Sequence, residues 1–253
     1  WCPVPGVEGV VEKCSMGERG TGKTSAGIGS ITHHAMRMPK ECRPIPWVIT
    51  RDTWTNIERT VLESFLNPHP NSFEAQIKDA LRIKDGGRFL ELPGFWYAHL
   101  FGMDSLKDLD KLRMQLGGLW VEEPAPAAVE DIGGGVDETV ITLGKSSLRH
   151  SCPWRVCQVT MNYPDEEHWT WKRYGAEKLP TGRYLIRIKK GENPAIGDDY
   201  YEQMAIDFAD NPGLLDRLVY GRPAFIVQGE KVTPESDPDV HRAKVQLEPY
   251  PGL

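Results

Sequence analysis

Short apolar runs alternate with segments of helical spacing over the first 180 residues. Runs of about four to eight apolar residues between turn residues predict buried strands, and apolar positions three and four apart predict helices. Strands alternating with helices are typical of an α/β fold with a mostly parallel central sheet flanked by helices. The predicted strands are 7–16, 46–51, 95–101, 116–121 and 154–161, and the predicted helices are 24–38, 53–65 (N-cap Asp52), 105–115 and 165–174.

Two further patterns define the domain organisation. The Asp85-Gly86-Gly87 turn between two short apolar segments predicts a β-hairpin at 80–92. Beyond residue 180 a strand at 184–190 precedes helices at 198–210 and 212–220. We therefore expect a core of residues 1–180, a lid-like subdomain or linker at 181–231, and a proline-rich linker at 232–253.

Composition and charge narrow the function. Of 253 residues, 40% are hydrophobic and 26% charged, which is ordinary for a globular protein. No apolar run approaches the roughly 20 residues that span a bilayer, so we expect no membrane contact. A net charge of −6 disfavours a broad DNA-binding surface but allows a small local contact. Five cysteines without a CxxC pair predict neither a zinc cluster nor a disulfide framework.

A glycine-rich segment, GERGTGKT, lies between the first predicted strand and helix and fits GxxxxGK[ST]. Backbone N–H groups in such a loop point toward phosphate oxygens, and glycine permits their close approach. Lys23 would reach the β- and γ-phosphates, and the Thr24 hydroxyl would bind Mg²⁺. The predicted nucleotide-binding residues are Gly17, Glu18, Arg19, Gly20, Thr21, Gly22, Lys23, Thr24 and Ser25.

An apolar strand ending in two acids, LWVEE, follows about a hundred residues later and resembles a Walker B element. Glu122 would hold Mg²⁺, and Glu123 would activate the attacking water. Adjacent residues of a strand face opposite sides, so the two carboxylates can take different roles. Many P-loop proteins place Asp first, and the longer Glu122 would shift the metal geometry slightly.

A polar pair, Thr160 and Asn162, stands at the end of the strand 154–161. The carboxyl end of a parallel strand lies on the ligand-binding edge of the sheet. Both side chains could sense the γ-phosphate there. The alternative interpretation is a plain capping turn before the next helix.

Four segments in this order resemble the large terminase subunit of tailed bacteriophages, the ATPase motor that packages DNA into proheads. The resemblance covers residues 8–175 and continues more weakly through NPGLLDRLVYGRPAF. The FGxD…LWVEE pattern with the later TxNxP motif is more diagnostic than the P-loop. The segments are GERGTGKT, VITRDTWTNIERTVLESF, HLFGMDSLKDLDKLRMQLGGLWVEEP and QVTMNYPDEEHWTWKRYG.

This resemblance implies an ASCE-type ATPase core that uses ATP and Mg²⁺. It implies a homo-oligomeric ring, a pentamer, on the prohead in the host cytoplasm. The implied partners are double-stranded DNA, the portal protein and the small terminase subunit. It also implies that Thr160 and Asn162 couple hydrolysis to movement. The family's nuclease half would begin after about residue 250, so we expect no nuclease activity here; Asp237, Asp239 and His241 would belong to its lead-in.

The resemblance also implies an arginine that completes the active site. Arg19 could act in cis and Arg113 in trans, with Arg149 and Arg155 as rivals. A solvated helix residue is an equally good interpretation of Arg113. The only basic clustering that could contact DNA phosphates comprises Lys172, Arg173, Arg183, Arg187, Lys189 and Lys190.

Other functions are consistent with parts of the sequence. The nearest is another P-loop ATPase, such as a helicase-like translocase or an AAA+ remodeller. A different class is a scaffold that binds nucleotide without hydrolysing it, which Glu123 disfavours. A small-molecule kinase would need an acceptor site that the sequence does not reveal. The adenine pocket is unassigned, although residues 1–7 could border it.

Overall fold

The computed structural model describes residues 9–103, 106–125 and 135–225, and the structural statements below concern these residues. The predictions for residues 1–7 and for the linker 232–253, with its acids and histidine, lie outside the described residues. Within the described part, no helix combines the length and apolar character needed to cross a membrane.

Eight strands form one sheet in the order β3-β4-β5-β2-β6-β7-β1-β8. The six strands from β5 to β8 in this order pair in parallel, and the β3–β4 hairpin is added antiparallel at one edge. The predicted mostly parallel α/β architecture is confirmed. The strands are β1 Gly9–Gly17, β2 Ile45–Arg51, β3 Arg82–Lys84, β4 Phe89–Leu92, β5 Trp96–Gly102, β6 Gly118–Glu122, β7 Trp154–Met161 and β8 Arg183–Ile188.

Helices cover both faces of the sheet. Successive strand residues point to opposite faces, so Trp47 and Ile49 of β2 face one core while Val48 faces the other. Helix α1 packs in the first core and α5 in the second. The helices are α1 Lys23–Arg37, α2 Trp54–Ile57, α3 Glu63–Leu66, α4 Phe73–Ile77, α5 Glu138–Ser147, α6 Trp169–Tyr174, α7 Asp198–Asp207 and α8 Pro212–Leu218.

Several local predictions differ from the structure. The helix predicted at 53–65 begins after Thr53, whose side chain accepts a hydrogen bond from Asn56 N, so Asp52 is not the N-cap. A π-helical turn at Glu58–Leu62 joins α2 to α3. The segment predicted as a helix at 105–115 is a 3₁₀ helix, Leu106–Leu112.

A buried ion cluster centres on Glu12 of β1, which is 2% exposed. Its carboxylate accepts hydrogen bonds from Arg173 at 2.6 Å and Lys145 at 2.6 Å, and Arg183 Nε lies 3.0 Å away. Burial alone would raise the pKa of Glu12, but these hydrogen bonds and charges hold it at about 2. Arg173 and Arg183 therefore neutralise Glu12, and the predicted cluster for DNA loses two of its members.

The segment that contains α7 and α8 packs against the glycine loop, residues 17–24, where Leu218 accepts a hydrogen bond from Arg19 N. Tyr201, Met204 and Leu218 form a small core of their own. Strand β8, predicted to belong to the lid-like region, pairs in parallel with β1, so the sheet extends past the boundary placed at residue 180.

Candidate nucleotide-binding site

A cavity of about 470 Å³ opens at the carboxyl edge of the parallel strands. Because β7 lies between β1 and β6, the ends of these three strands bring the glycine loop, the acid pair and Asn162 together. The cavity is lined by Arg19, Gly20, Gly22, Lys23, Thr24, Ser25, Arg51, Thr60, Glu122, Glu123, Ala125, Asn162, Asn193, Ile196 and Leu218.

The glycine loop turns from β1 into α1 through two left-handed glycines. Gly20 has φ 80° and Gly22 has φ 82°, a region that a residue with a Cβ rarely adopts. Lys23, only 6% exposed, donates to the Glu18 carbonyl at 2.6 Å and to Asn162 Oδ1 at 2.9 Å. Burial lowers the pKa of Lys23, while the charges of nearby glutamates oppose that shift.

Glu122 is held by two hydroxyl groups. The Thr24 hydroxyl donates to Glu122 Oε1 at 2.6 Å, and the Thr160 hydroxyl donates to Oε2. Burial and, after it, repulsion from Glu123 raise the pKa of Glu122, although both hydroxyls and Arg51 act in the opposite direction. Thr24 and Glu122 thus offer adjacent oxygen donors, which is the chemistry that Mg²⁺ selects together with substrate phosphates.

Glu123 turns its carboxylate toward the cavity from a strained backbone. Its φ is 44°, uncommon for a residue with a Cβ and frequent at functional sites. Its N–H donates to the Thr160 carbonyl at 2.7 Å, and its Oε2 accepts from Asn162 N at 3.0 Å. The end of β7 therefore holds Glu123 at both its backbone and its side chain.

Thr160 and Asn162 occupy different positions. Asn162 lines the cavity and contacts Lys23, whereas Thr160 is 1% exposed and bonds Glu122. Trp120 Nε1 donates to the Thr160 hydroxyl at 2.6 Å, so this hydroxyl has a fixed donor and a fixed acceptor. The sequence predicts that both side chains face the ligand; the structure brings Asn162 to the cavity and leaves Thr160 behind Glu122.

Of the four candidate arginines, the structure brings Arg19 to the cavity. Arg113 lies just beyond the 3₁₀ helix, is 83% exposed and contacts Asp110 at 3.1 Å. Arg149 and Arg155 stand near the amino ends of β6 and β7, because His150 N bonds the Leu116 carbonyl. They lie on the edge of the sheet opposite the cavity.

Sequence reasoning missed several lining residues. Arg51 ends β2, next to β6, with Nη1 3.3 Å from Thr60 Oγ1 on the π-helical turn. Its place at the carboxyl end of a parallel strand was a usable signal. Asn193 donates to the Gly20 carbonyl at 2.7 Å and Leu218 accepts from Arg19 N at 3.0 Å, contacts that only the tertiary structure reveals.

The described residues contain no group of three or more His, Cys, Asp and Glu side chains suited to a metal. His34 is buried, with Nε2 3.1 Å from the Trp154 carbonyl. A cation at the cavity would therefore rely on Thr24, Glu122 and the ligand's own oxygens.

Comparison with known proteins finds similar solved structures but no matching family model or curated protein. No family model matches the chain, and no curated protein matches it. Solved structures of the large terminase from a thermophilic bacteriophage do match it. One of them, in complex with ADP, has a TM-score of 0.61 at 14% identity and covers 83% of this chain and 48% of that chain.

This chain has the fold found in a bacteriophage large terminase. A second structure of the same phage terminase has a TM-score of 0.62 at 15% identity and covers 87% of this chain and 49% of its own. A third, in complex with ATP-γ-S, has a TM-score of 0.56 at 16% identity and covers 83% of this chain and 47% of its own. The chain thus spans about half the length of this terminase, and the likeness establishes a P-loop terminase fold.

Proposed function

We propose that this chain is the ATPase part of a large terminase, which hydrolyses ATP to drive double-stranded DNA into a phage prohead. The observation that carries the proposal is one network at the cavity: Lys23 bonds Asn162, and Asn162 N bonds Glu123. Phosphate-binding, sensing and water-activating residues are thereby joined within hydrogen-bond distance, on the fold of a terminase.

The loop residues 17–25 and Lys23 bind the triphosphate. Lys23 exchanges the Glu18 carbonyl and Asn162 for phosphate oxygens, which compete well because they carry full charge. Thr24 and Glu122 would hold Mg²⁺, which would offset the negative charge of the phosphates. Arg19, which also lies in this loop, supplies a positive charge to the nucleotide bound by its own chain.

Glu123 acts as the general base. It accepts a proton from the attacking water as the water oxygen bonds the γ-phosphorus, and the bond to ADP breaks. Its bond from Asn162 N fixes the carboxylate, while Asn162 Oδ1 reports whether Lys23 is engaged with phosphate. Thr160 donates a hydrogen bond to Glu122 and so holds the carboxylate that would bind Mg²⁺.

The motor context rests on the terminase resemblance. It includes a pentameric ring on the prohead in the host cytoplasm, with portal protein, small terminase subunit and double-stranded DNA as partners. Arg113 is exposed and lies outside the cavity of its own chain. In the ring it would enter the nucleotide site of a neighbouring subunit and act there in trans.

The test is ATP hydrolysis with and without double-stranded DNA. The account expects hydrolysis that DNA stimulates, its loss in Lys23→Ala, and its retention in Lys178→Ala, a matched change at an exposed lysine. Wild-type turnover by Lys23→Ala would refute the nucleotide site. Hydrolysis that DNA leaves unchanged would refute the motor while sparing the ATPase.

A further inference from the structure

Arg217 of α8 is a buried cation that the proposed reaction does not use. It is 6% exposed, and its Nε donates to the Tyr163 carbonyl at 2.6 Å. Tyr163 directly follows Asn162. Arginine is rarely buried to this degree unless its charge is paired and its donors are hydrogen-bonded.

Residues near Arg217 contact both the glycine loop and the turn that follows β7. The next residue, Leu218, accepts a hydrogen bond from Arg19 N of the phosphate loop at 3.0 Å. Ala224 N donates to the Pro164 carbonyl at 3.2 Å, close to the same turn after β7. The end of α8 therefore connects the phosphate loop with the segment that carries Asn162.

Charge also links Arg217 to the site. Burial lowers the pKa of Arg217, and the negative charges of Glu123 and Asp165 act against that shift. The 2.6 Å hydrogen bond from Arg217 Nε fixes the Tyr163–Pro164 peptide, one residue beyond Asn162.

We infer that Arg217 is a positioning residue: by holding the Tyr163 carbonyl, it keeps Asn162 N on Glu123 and keeps Asn162 Oδ1 beside Lys23. The inference rests on the proposed function, because the groups it aligns are the proposed base and the phosphate-binding lysine. It also makes α8 the element through which the lid-like segment is connected to the reaction.

Hydrolysis and binding measured together distinguish positioning from mere support of the fold. Arg217→Met keeps a long side chain but removes the donor, and we expect its single-turnover ATP hydrolysis to fall on the order of 10- to 100-fold. Its Kd for ATP-γ-S should change less than about threefold, since the loop itself is intact. Arg217→Lys, which retains a charge and a donor, should recover most of the rate.

Arg222→Met is the matched control, because Arg222 lies on the same segment and is 72% exposed, with its side chain 3.8 Å from Asp216 and over the exposed ring of Tyr220, away from the cavity. It should hydrolyse ATP at the wild-type rate. In a Glu123→Gln background, Arg217→Met should cost less than about twofold more, because the base that Arg217 aligns through Asn162 N is gone. A full additional loss in that background would overturn the inference, as would a wild-type rate for Arg217→Met.

Amide hydrogen exchange at Asn162 N tests the inference without catalysis. Arg217→Met should accelerate this exchange at least about tenfold, and Arg222→Met should not. If the wild-type chain binds ATP-γ-S but fails to hydrolyse ATP, the proposed function fails, and this exchange still decides for or against Arg217. Unchanged exchange overturns the positioning role. If Arg217→Met does not fold, Arg217→Lys carries both measurements: its hydrolysis rate and its exchange at Asn162 N should change together, and a lowered rate with unchanged exchange overturns the role.

Discussion

The side-chain oxygen of Asn162 lies 2.9 Å from Lys23 Nζ, which joins the end of β7 to the phosphate loop. The same residue donates its backbone N–H to Glu123. In the proposed reaction, Asn162 is therefore the point at which occupancy of the glycine loop can change the position of the base, Glu123. A residue placed between the proposed phosphate-binding lysine and the proposed base is suited to sensing the bound nucleotide.

Asn162→Ala tests this link. We expect hydrolysis to fall on the order of 10- to 100-fold, because the side-chain link from Lys23 to the end of β7 is lost, while the Kd for ATP-γ-S changes little. Single-turnover hydrolysis measures the rate, and equilibrium binding of ATP-γ-S measures the Kd. A loss of affinity as large as the loss of rate would show that Asn162 serves binding alone.

The two glutamates should separate in their dependence on Mg²⁺. Glu123→Gln should bind ATP-γ-S normally and lose hydrolysis by roughly 10²- to 10⁴-fold, since a general base is removed. Glu122→Gln should instead need more Mg²⁺ for half-maximal activity, because one oxygen ligand is weakened. Titration of Mg²⁺ in hydrolysis assays measures this difference. The assignment is reversed if Glu123→Gln is the variant that additional Mg²⁺ restores.

Mixing variants tests Arg113 as a finger in trans. Arg113→Ala and Lys23→Ala should each be inactive, since a cationic finger contributes about 10³-fold or more. Mixed at a concentration where wild-type activity has levelled off, they should recover activity, because intact Lys23 sites receive Arg113 from the other variant.

The control mixture combines Lys23→Ala with Glu123→Gln, two changes that each disable a site in cis and that should not complement each other. Absence of recovery with Arg113→Ala, or full activity of Arg113→Ala alone, would assign the role to another arginine.

The Glu12 cluster predicts a pH-dependent stability. The folded pKa of about 2 lies below the ordinary 4.5, so the contribution exists above pH 4.5 and is lost as the pH falls toward 2. Glu12→Gln should cost about 3 kcal/mol of unfolding free energy at pH 7, and the difference should shrink below pH 4.5. Denaturant unfolding from pH 7 to 3 measures it. Glu167→Gln, at an exposed pair with Lys172, should change little, and a difference for Glu12→Gln that is constant over this range would contradict the account.

Local motifs explain why much of the site was predictable. The loop from Gly17 to Thr24 and the acid-tipped strand are contiguous in sequence, and their chemistry is encoded by residue type and spacing. Strand β7 was predicted with its observed bounds because its apolar residues, among them Val156, Cys157 and Val159, stand between Pro153 and the Asn162-Tyr163-Pro164 turn. The sequence did not reveal that Thr160 would turn toward Glu122, since that depends on the neighbouring strand.

Tertiary contacts explain what was missed. Helix α5 escaped prediction because Thr139, Thr142 and Gly144 weaken its helical pattern. Gly144 packs against Leu119 of β6, whose side chain would have to shift to admit a Cβ at this position. Asn193 reaches the loop only because β8 joins the sheet beside β1.

A structure of the chain with ATP-γ-S and Mg²⁺ tests the central claim most directly. The account predicts the triphosphate within the loop 17–25, Lys23 bonded to its β- and γ-phosphate oxygens, and Mg²⁺ between Thr24 and Glu122. Glu123 should face a water in line with the γ-phosphorus. Nucleotide bound elsewhere, or a γ-phosphate remote from both glutamates, would contradict it.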